Sequence, residues 1–507
     1  MNIQRSSTLR QLIATGADMN RAIGAPATKD LTYGRLRALV ERTISSLNQI
    51  GVGRGDRVAI VLPNGPEMAT AFIAIASGAT AAPLNPAYKA AEFEFYLSDV
   101  NAKALVVEQG STSPSIEVAR NLGIAVITMH PEPADGAGCF RLTCEASFGD
   151  CTKGFAEADD IALILHTSGT TSRPKIVPLS QRNVSVSAGN IAETLALTDK
   201  DCGLNIMPLF HIHGLMAGLL APLSVGGRVF CTPGFNALRF FAWMDEAKPS
   251  WYTAVPTMHQ AILMRAAGNH EILARNPLRF VRSSSSSMPP QVIAEVRKTF
   301  NAPLIEAYGM TEASHQMASN PLDGAQKPGA VGLAAGPEVA IMDDNGELLK
   351  PGAIGEIVIR GENVTRGYEN NPSANAGAFT NGWFRTGDQG VMDEDGYVSL
   401  TGRLKEIINR GGEKISPREV DEILMDHPAV QQVVVFAMPH EKLGEEVAAA
   451  VVLREGKAAN EKELREFCSQ RLAAFKVPRK IVFLEQIPLG ATGKLQRIGL
   501  AAKLGLA

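Results

Sequence analysis

Apolar and polar positions along the chain alternate between two rhythms. Short unbroken apolar runs read as buried strands: "DRVAIVLP" (Asp56–Pro63), "KALVVE" (Lys103–Glu108), "GIAVITM" (Gly123–Met129) and "IALILHTSG" (Ile161–Gly169). Longer stretches with helical spacing separate them, as in "PEMATAFIAIASGA" (Pro66–Ala79) and "PPQVIAEVRKTF" (Pro289–Phe300). Strands that are apolar on both faces need cover on both faces, so this order predicts α/β layers. From Pro328 to Gly396 glycines and turn residues crowd together. That stretch predicts smaller antiparallel pieces such as "GEIVIRG" (Gly355–Gly361).

The character changes again at "TGRLKEIINRGGEKISP" (Thr401–Pro417). Beyond it come a helix candidate, "PREVDEILMDHP" (Pro417–Pro428), and strands at "VQQVVVFAMP" (Val430–Pro439) and "EEVAAAVVL" (Glu445–Leu453). A second helix covers "NEKELREFCSQRL" (Asn460–Leu472). This is the mix of a small α+β domain. The expected organisation is a large N-terminal domain over 1–403, of layered α/β subdomains with a β-rich subdomain, and a small C-terminal domain over 404–507.

Length and composition agree with several units. The 507 residues exceed one ordinary core, at roughly 150 residues per unit. Apolar residues make up 45% and charged residues 20%, as in globular proteins. The net charge of −3 gives no reason to expect a nucleic-acid partner. Six cysteines form no C-x-x-C pair and no metal or disulfide spacing, so reduced thiols in a cytoplasm are expected. The most apolar window, Met68–Leu84, contains Thr70, Ser77, Gly78 and Thr80 and reads as a buried helix rather than a membrane span. The N-terminus lacks the apolar core of a signal peptide, and the C-terminal "KLGLA" is not a peroxisomal tripeptide.

The densest chemistry lies at "HTSGTTSRPK" (His166–Lys175). Hydroxyls at Thr167, Ser168, Thr170 and Thr171 surround Gly169, which permits close backbone approach. Successive N–H groups in such a turn form an anion nest, and Lys175 adds a mobile point charge. A solvated Ser/Thr loop is the plain alternative, but the buried strand feeding it and the T-S-G-T-T-x-x-P-K order favour phosphate.

This loop resembles that of the adenylate-forming superfamily of acyl-CoA synthetases, adenylation domains and luciferases. "EAYGMTEA" (Glu306–Ala313), "WFRTGD" (Trp383–Asp388), "GRLKEIINRGGEKISPREVD" (Gly402–Asp421) and "ATGKLQR" (Ala491–Arg497) follow in that family's order. The resemblance implies that a carboxylic acid attacks the α-phosphorus of ATP, and that the CoA thiol then displaces AMP. No protein nucleophile is required, so catalysis is positioning and charge stabilisation. The family's roles then fall on residues of this chain. Glu306, Ala307 and Tyr308 would bind ATP, with Tyr308 stacked near the adenine, Thr311 on the α-phosphate and Glu312 on Mg²⁺. Asp388 would take the ribose and Arg403 the ribose or a phosphate, and Lys494 would bridge the carboxylate and the α-phosphate. Lys405 sits at the hinge of a small domain that rotates after adenylation. Gly411, Gly412 and Lys476 would lie on the CoA side.

In this family the acid pocket is framed by "PLFHIHG" (Pro208–Gly214), the serine run Ser283–Ser287, and the residues after "YGMTE". Here they offer His211, His213, Ser285 and His315, a small polar set suited to a short, doubly charged acid. The subgroup resemblance is to oxalate–CoA ligases, with His211, Ser285 and His315 matching positions assigned to oxalate, and His211 also counted among the catalytic residues. Another short dicarboxylic, medium-chain or aryl acid, or a stand-alone carrier-loading enzyme, are the alternatives. The expected partners are thus a small carboxylic acid, ATP and CoA, with no nucleic acid or membrane span, and a homo-oligomer is left open.

Three positions depart from the pattern. Ile176 stands where the family usually has glycine, and a β-branched residue resists positive φ, which predicts a stiffer loop or altered ATP affinity. Gln389 replaces an apolar residue after "GD", and "SSSSSM" is richer in serine than the subgroup's own segment.

Overall fold

The computed structural model describes residues 6–144, 146–167, 174–327, 329–488 and 496–506. The chain divides into two compact units, one drawn from Met1–Thr167, Lys175–Val339 and Ile359–Ala378, the other from Ser168–Pro174, Ala340–Val358 and Phe379–Ala507. The 403/404 division expected from sequence falls inside the second unit.

The first unit holds two large sheets. In the seven-stranded sheet, Ala104–Glu108, Arg57–Val61, Thr80–Pro83 and Ile161–Thr167 run parallel side by side. Antiparallel strands close its edges, Phe140–Thr143 at one and Lys175–Ser180 at the other. The nine-stranded sheet has a parallel centre through Leu304–Met310, Phe280–Ser283, Trp251–Ala254, Cys202–Asn205 and Arg228–Cys231. The apolar runs read as strands are these central ones, and burial on both faces is why they lack alternation.

The apolar window Met68–Leu84 corrects the expectation of one helix. The helix is Pro66–Ala76, started by Pro66 at its first turn. The chain turns at Ser77–Gly78 and continues as the buried strand Thr80–Pro83. A side chain at Gly78 would come 2.7 Å from Ile44, so glycine lets this turn pack against the neighbouring helix. Uniform apolarity hid the change of element, because both pieces are buried all round.

The second unit carries a sheet in which Trp383–Met392 pairs antiparallel with Phe379–Thr380 and with Val398–Arg403. Its other sheet centres on Gly444–Leu453, flanked by Val430–His440 and Lys480–Phe483. Helices Pro417–Met425 and Glu461–Ser469 cover one face, burying Val420, Leu424, Leu464 and Cys468 against Val433, Val435 and Val451. Among the described residues no helix is long and apolar enough to cross a membrane.

Candidate active site

The feet of the hydroxyl-rich loop are Thr167 and Lys175, which face each other across the antiparallel pair Ile161–Thr167 and Lys175–Ser180. Ser168, Gly169, Thr170 and Thr171 lie outside the described residues. Ile176 is a strand residue paired with His166, 5% exposed, packed in the core with Ile164. It is not among the residues with positive φ. Extended backbone is the conformation a β-branched side chain prefers, so this position needs no glycine and the steric objection to Ile176 falls away.

Lys175 leads to a residue the sequence reading missed. Its Nζ sits 4.2 Å from the ring centroid of Tyr368. The Tyr368 hydroxyl donates to Glu312 Oε1 at 2.8 Å. Burial, and then the Glu312 charge, push the Tyr368 phenol well above its ordinary pKa, so it keeps the proton it donates. One ring thus joins the loop lysine to the buried carboxylate of the "YGMTE" segment. Neighbours fix this arrangement. Thr365 N–H donates to the Glu312 carbonyl at 2.7 Å, Thr365 Oγ1 donates to the Pro178 carbonyl at 2.9 Å, and Asn363 Nδ2 donates to the Ala313 carbonyl at 2.8 Å. Nothing in "NVTRGYENN" advertises this role; only the tertiary fold brings it to Glu312.

The "YGMTE" segment is a strand end with a tight reversal. Glu306, Ala307 and Tyr308 lie on Leu304–Met310, and Thr311–Ala313 forms a single 3₁₀ turn. Ser314 and His315 then both adopt positive φ, 49° and 94°, and the chain returns as His315–Ser319. Such conformations cost non-glycine residues on the order of 1–3 kcal/mol each and cluster at functional sites. Gly309 makes the reversal fit, since a Cβ there would lie 1.7 Å from the His315 carbonyl oxygen. Ser284 Oγ ties the neighbouring serine segment in by donating to the Ala307 carbonyl at 2.8 Å.

The reversal places His315 against His213, their rings stacked with centroids 4.7 Å apart and planes 20° apart. His213 Nδ1 lies 3.0 Å from Ser285 Oγ, and its Nε2 lies 2.6 Å from Thr253 Oγ1. Ser285 also has positive φ, 73°. Burial first, then the charges of His315 and Arg282, hold His213 well below the usual histidine pKa, so it is neutral. Arg282 is wholly buried behind it, with burial lowering its pKa to about 9, which leaves it charged at neutral pH. The expected acid residues Ser285 and His315 therefore meet, but around His213. His211 stands two residues earlier, just ahead of the short helix Ile212–Leu215, its ring 4.5 Å from that of Phe210, and its charge contributes to the His213 shift. Sequence reading named His213 without a role and missed Arg282, although an arginine inside an apolar strand, "RFVRS", was a signal.

In the second unit Asp388 and Arg403 are direct partners across Trp383–Met392 and Val398–Arg403. Arg403 Nε lies 3.2 Å from Asp388 Oδ1, and Asp388 is buried. Gln389 Oε1 accepts from Thr401 Oγ1 at 2.9 Å, so its amide serves the same strand pair. Lys405 lies exposed in the turn between Val398–Arg403 and Ile408–Arg410. Gly411 and Gly412 form the two-residue tip of the next hairpin, with φ of 60° and 99°, the pairing a type I′ turn demands. Lys476 Nζ pairs with both Glu419 oxygens, at 2.6 and 2.7 Å. Lys494 lies outside the described residues. Arg497, just beyond, is anchored on Asp421 at 2.5 Å and Glu406 at 3.2 Å.

Comparison with known proteins fits this geometry. The family described as AMP-binding enzyme matches residues 14–369, and that described as AMP-binding enzyme C-terminal domain matches 419–494. An oxalate–CoA ligase of Arabidopsis thaliana is 46% identical over 504 residues, 98% of each chain. The oxalate–CoA ligase of Saccharomyces cerevisiae is 43% identical over 475 residues, 88% of this chain and 86% of that one. Among solved structures, ATP-bound MatB from Rhodopseudomonas palustris superposes with a TM-score of 0.87 at 29% identity, over 98% of each chain.

Proposed function

The chain belongs to the AMP-binding enzyme family, and from that premise we propose that it is an ATP-dependent acid–CoA ligase whose acid is oxalate. A carboxylate oxygen of the acid attacks the α-phosphorus of ATP, the bond to pyrophosphate breaks, and an acyl-adenylate forms. The CoA thiolate then attacks the acyl carbon and AMP leaves, giving the thioester.

The observation that carries the choice of acid is the polar cluster of His213, Ser285 and His315 over buried Arg282. A fatty or aryl chain needs an apolar cavity at this place. Imidazoles and a hydroxyl backed by a cation instead suit a small acid with a second charge. His211, Ser285 and His315 are assigned to the acid.

Thr311 is assigned to the α-phosphate, and Glu306, Ala307 and Tyr308 to the base. Thr167, Ser168, Gly169, Thr170, Thr171 and Lys175 hold the departing pyrophosphate, which needs grip and release rather than a fixed cage. Asp388 takes the ribose hydroxyls with Arg403 beside it, because a carboxylate accepts strongly from vicinal hydroxyls. Lys494 neutralises charge as the acid approaches phosphorus, a role in which one lost donor costs on the order of 10²–10³ in rate. Lys405 serves as hinge of the division at 403/404, with Gly411, Gly412 and Lys476 on the CoA side.

Mg²⁺ fits the donors present. Glu312 offers a buried hard-oxygen ligand, and no group of three or more metal-binding side chains occurs among the described residues. Phosphate oxygens would complete the ion's shell. When bound, the ion would neutralise phosphate charge. Free thiols at all six cysteines fit a cytoplasmic enzyme.

A pyrophosphate-release screen over oxalate, malonate, acetate, octanoate and coumarate tests the reading. Preference for oxalate, with CoA as acceptor, is expected. Preference for octanoate or coumarate would overturn the acid, and transfer only to a carrier protein would overturn the acceptor.

A further inference from the structure

We propose that Arg282 is a positioning residue for the acid: it fixes the tautomer of His213 and so turns the Ser285 hydroxyl into a hydrogen-bond donor towards the bound carboxylate. The inference rests on the acid-pocket reading above and adds a residue that pairs with no substrate itself.

Arg282 stands apart from the half-buried arginines of this chain. Arg228 reaches Asp30 at 2.7 Å and Arg410 reaches Glu446 at 2.6 Å. Arg282 is 0% exposed, yet no carboxylate lies within ion-pair distance among the described residues, and its Nε has no hydrogen-bond partner. A purely structural buried arginine is ordinarily neutralised. This one instead spends its donors on neutral groups at the back of the pocket. Nη1 lies 3.3 Å from His213 Nε2 and 3.4 Å from Thr253 Oγ1, and Nη2 donates to Gln316 Oε1 at 3.1 Å.

The proton positions follow from what each group can do. A guanidinium has donors and no acceptor, so it favours the His213 tautomer in which the nitrogen facing it carries a lone pair. An N–H at Nε2 would oppose the guanidinium N–H at 3.3 Å. A doubly protonated ring would do the same and add a second charge to a buried site. Thr253 completes the arrangement by accepting from Nη1 and donating to Nε2 at 2.6 Å. His213 therefore carries its single proton on Nδ1 and donates it to Ser285 Oγ at 3.0 Å. Ser285, with that lone pair engaged, has its own hydroxyl proton to give. It is exposed, and its left-handed backbone, φ 73°, holds it at the mouth of the cluster. A carboxylate only accepts, so a donating serine binds it and an accepting serine repels it.

The other arm of Arg282 holds Gln316. Gln316 accepts from it through Oε1 and donates through Nε2 to Thr194 Oγ1 at 3.2 Å and the Ala335 carbonyl at 3.1 Å. Gln316 directly follows His315, whose φ is 94°. One cation thus orients His213 directly and braces His315 through its neighbour.

The test uses the full-length enzyme, Arg282→Met and Arg282→Lys. In wild type with ¹⁵N-labelled histidine, the His213 resonances, identified by their loss in His213→Gln, are expected to show a protonated Nδ1 and a bare Nε2. In Arg282→Met the proton is expected to move to Nε2, with KM for oxalate up roughly ten- to a hundredfold, the scale of one hydrogen bond to a charged group. KM for ATP should stay within twofold, and Arg282→Lys should restore part of the oxalate affinity. A wild-type His213 protonated on Nε2 overturns the proposal even if Arg282→Met fails to fold. So does a folded Arg282→Met with unchanged oxalate KM. A wild type that prefers octanoate overturns the acid instead, and leaves the tautomer result standing.

Discussion

Replacing Tyr368 by Phe removes one oxygen and leaves the ring. The oxygen donates to Glu312 Oε1 at 2.8 Å, while the ring face meets Lys175 Nζ at 4.2 Å. Glu312 is 6% exposed, so water replaces the lost donor poorly. A hydrogen bond to a charged group is worth about 1.5–3 kcal/mol, which at ~1.4 kcal/mol per decade is a loss of roughly ten- to a hundredfold. The deficit belongs in kcat/KM for Mg·ATP, because Glu312 is the proposed magnesium ligand. Tyr368→Leu should lose more, since the lysine's contact with the ring adds about 0.5–2 kcal/mol. Steady-state pyrophosphate release with magnesium and ATP varied separately measures both, and urea unfolding confirms that each variant is folded. Tyr368→Phe and Glu312→Gln should be strongly non-additive. A folded Tyr368→Phe with wild-type kcat/KM would refute the role given to this ring.

Other expected outcomes follow from the same geometry. Ile176→Gly should lower stability by about 3–5 kcal/mol, since it empties a buried strand position, and should leave KM for ATP nearly unchanged, as urea titration and kinetics will show. Gly309→Ala should abolish acid activation while leaving unfolding cooperative, because its Cβ would fall 1.7 Å from the His315 carbonyl oxygen. Burial lowers His259 from the model-peptide value of 6.5 to about 4, so the unfolded chain binds its proton first. Its stabilising share, on the order of 3 kcal/mol, is then complete above pH ~6.5 and lost as pH falls towards ~4. His213 acts in the same direction. Urea midpoints across that range should fall steeply in wild type and less steeply in His259→Phe.

Much of this molecule was legible because buried parallel strands leave apolar runs that need no context. Arg57–Val61, Ala104–Glu108 and Ile161–Thr167 were visible for that reason. Family resemblance gives Asp388 and Arg403 contacts to the same nucleotide, and only the strand register sets the two side by side. What stayed hidden depends on tertiary neighbours. Tyr368 is an ordinary tyrosine until the fold sets it between Lys175 and Glu312. Arg282 is a lone charge in an apolar strand until the sheet sets it behind His213. Ile176 conflicts with the family pattern only if the loop runs on through it, whereas the strand begins at Lys175. The Met68–Leu84 window misled for the opposite reason, since nothing polar marked where helix became strand.

An enzyme that activates oxalate at phosphorus and passes the acyl group to CoA leaves a carboxylate oxygen on AMP. Oxalate labelled with ¹⁸O in its carboxylates, incubated with ATP, magnesium and CoA, tests it in one experiment. Oxalyl-CoA, AMP carrying one ¹⁸O atom, and unlabelled pyrophosphate are expected, because the attacking carboxylate oxygen stays on the α-phosphorus when the thiol takes the acyl group. ADP with labelled inorganic phosphate, or unlabelled AMP, would contradict it.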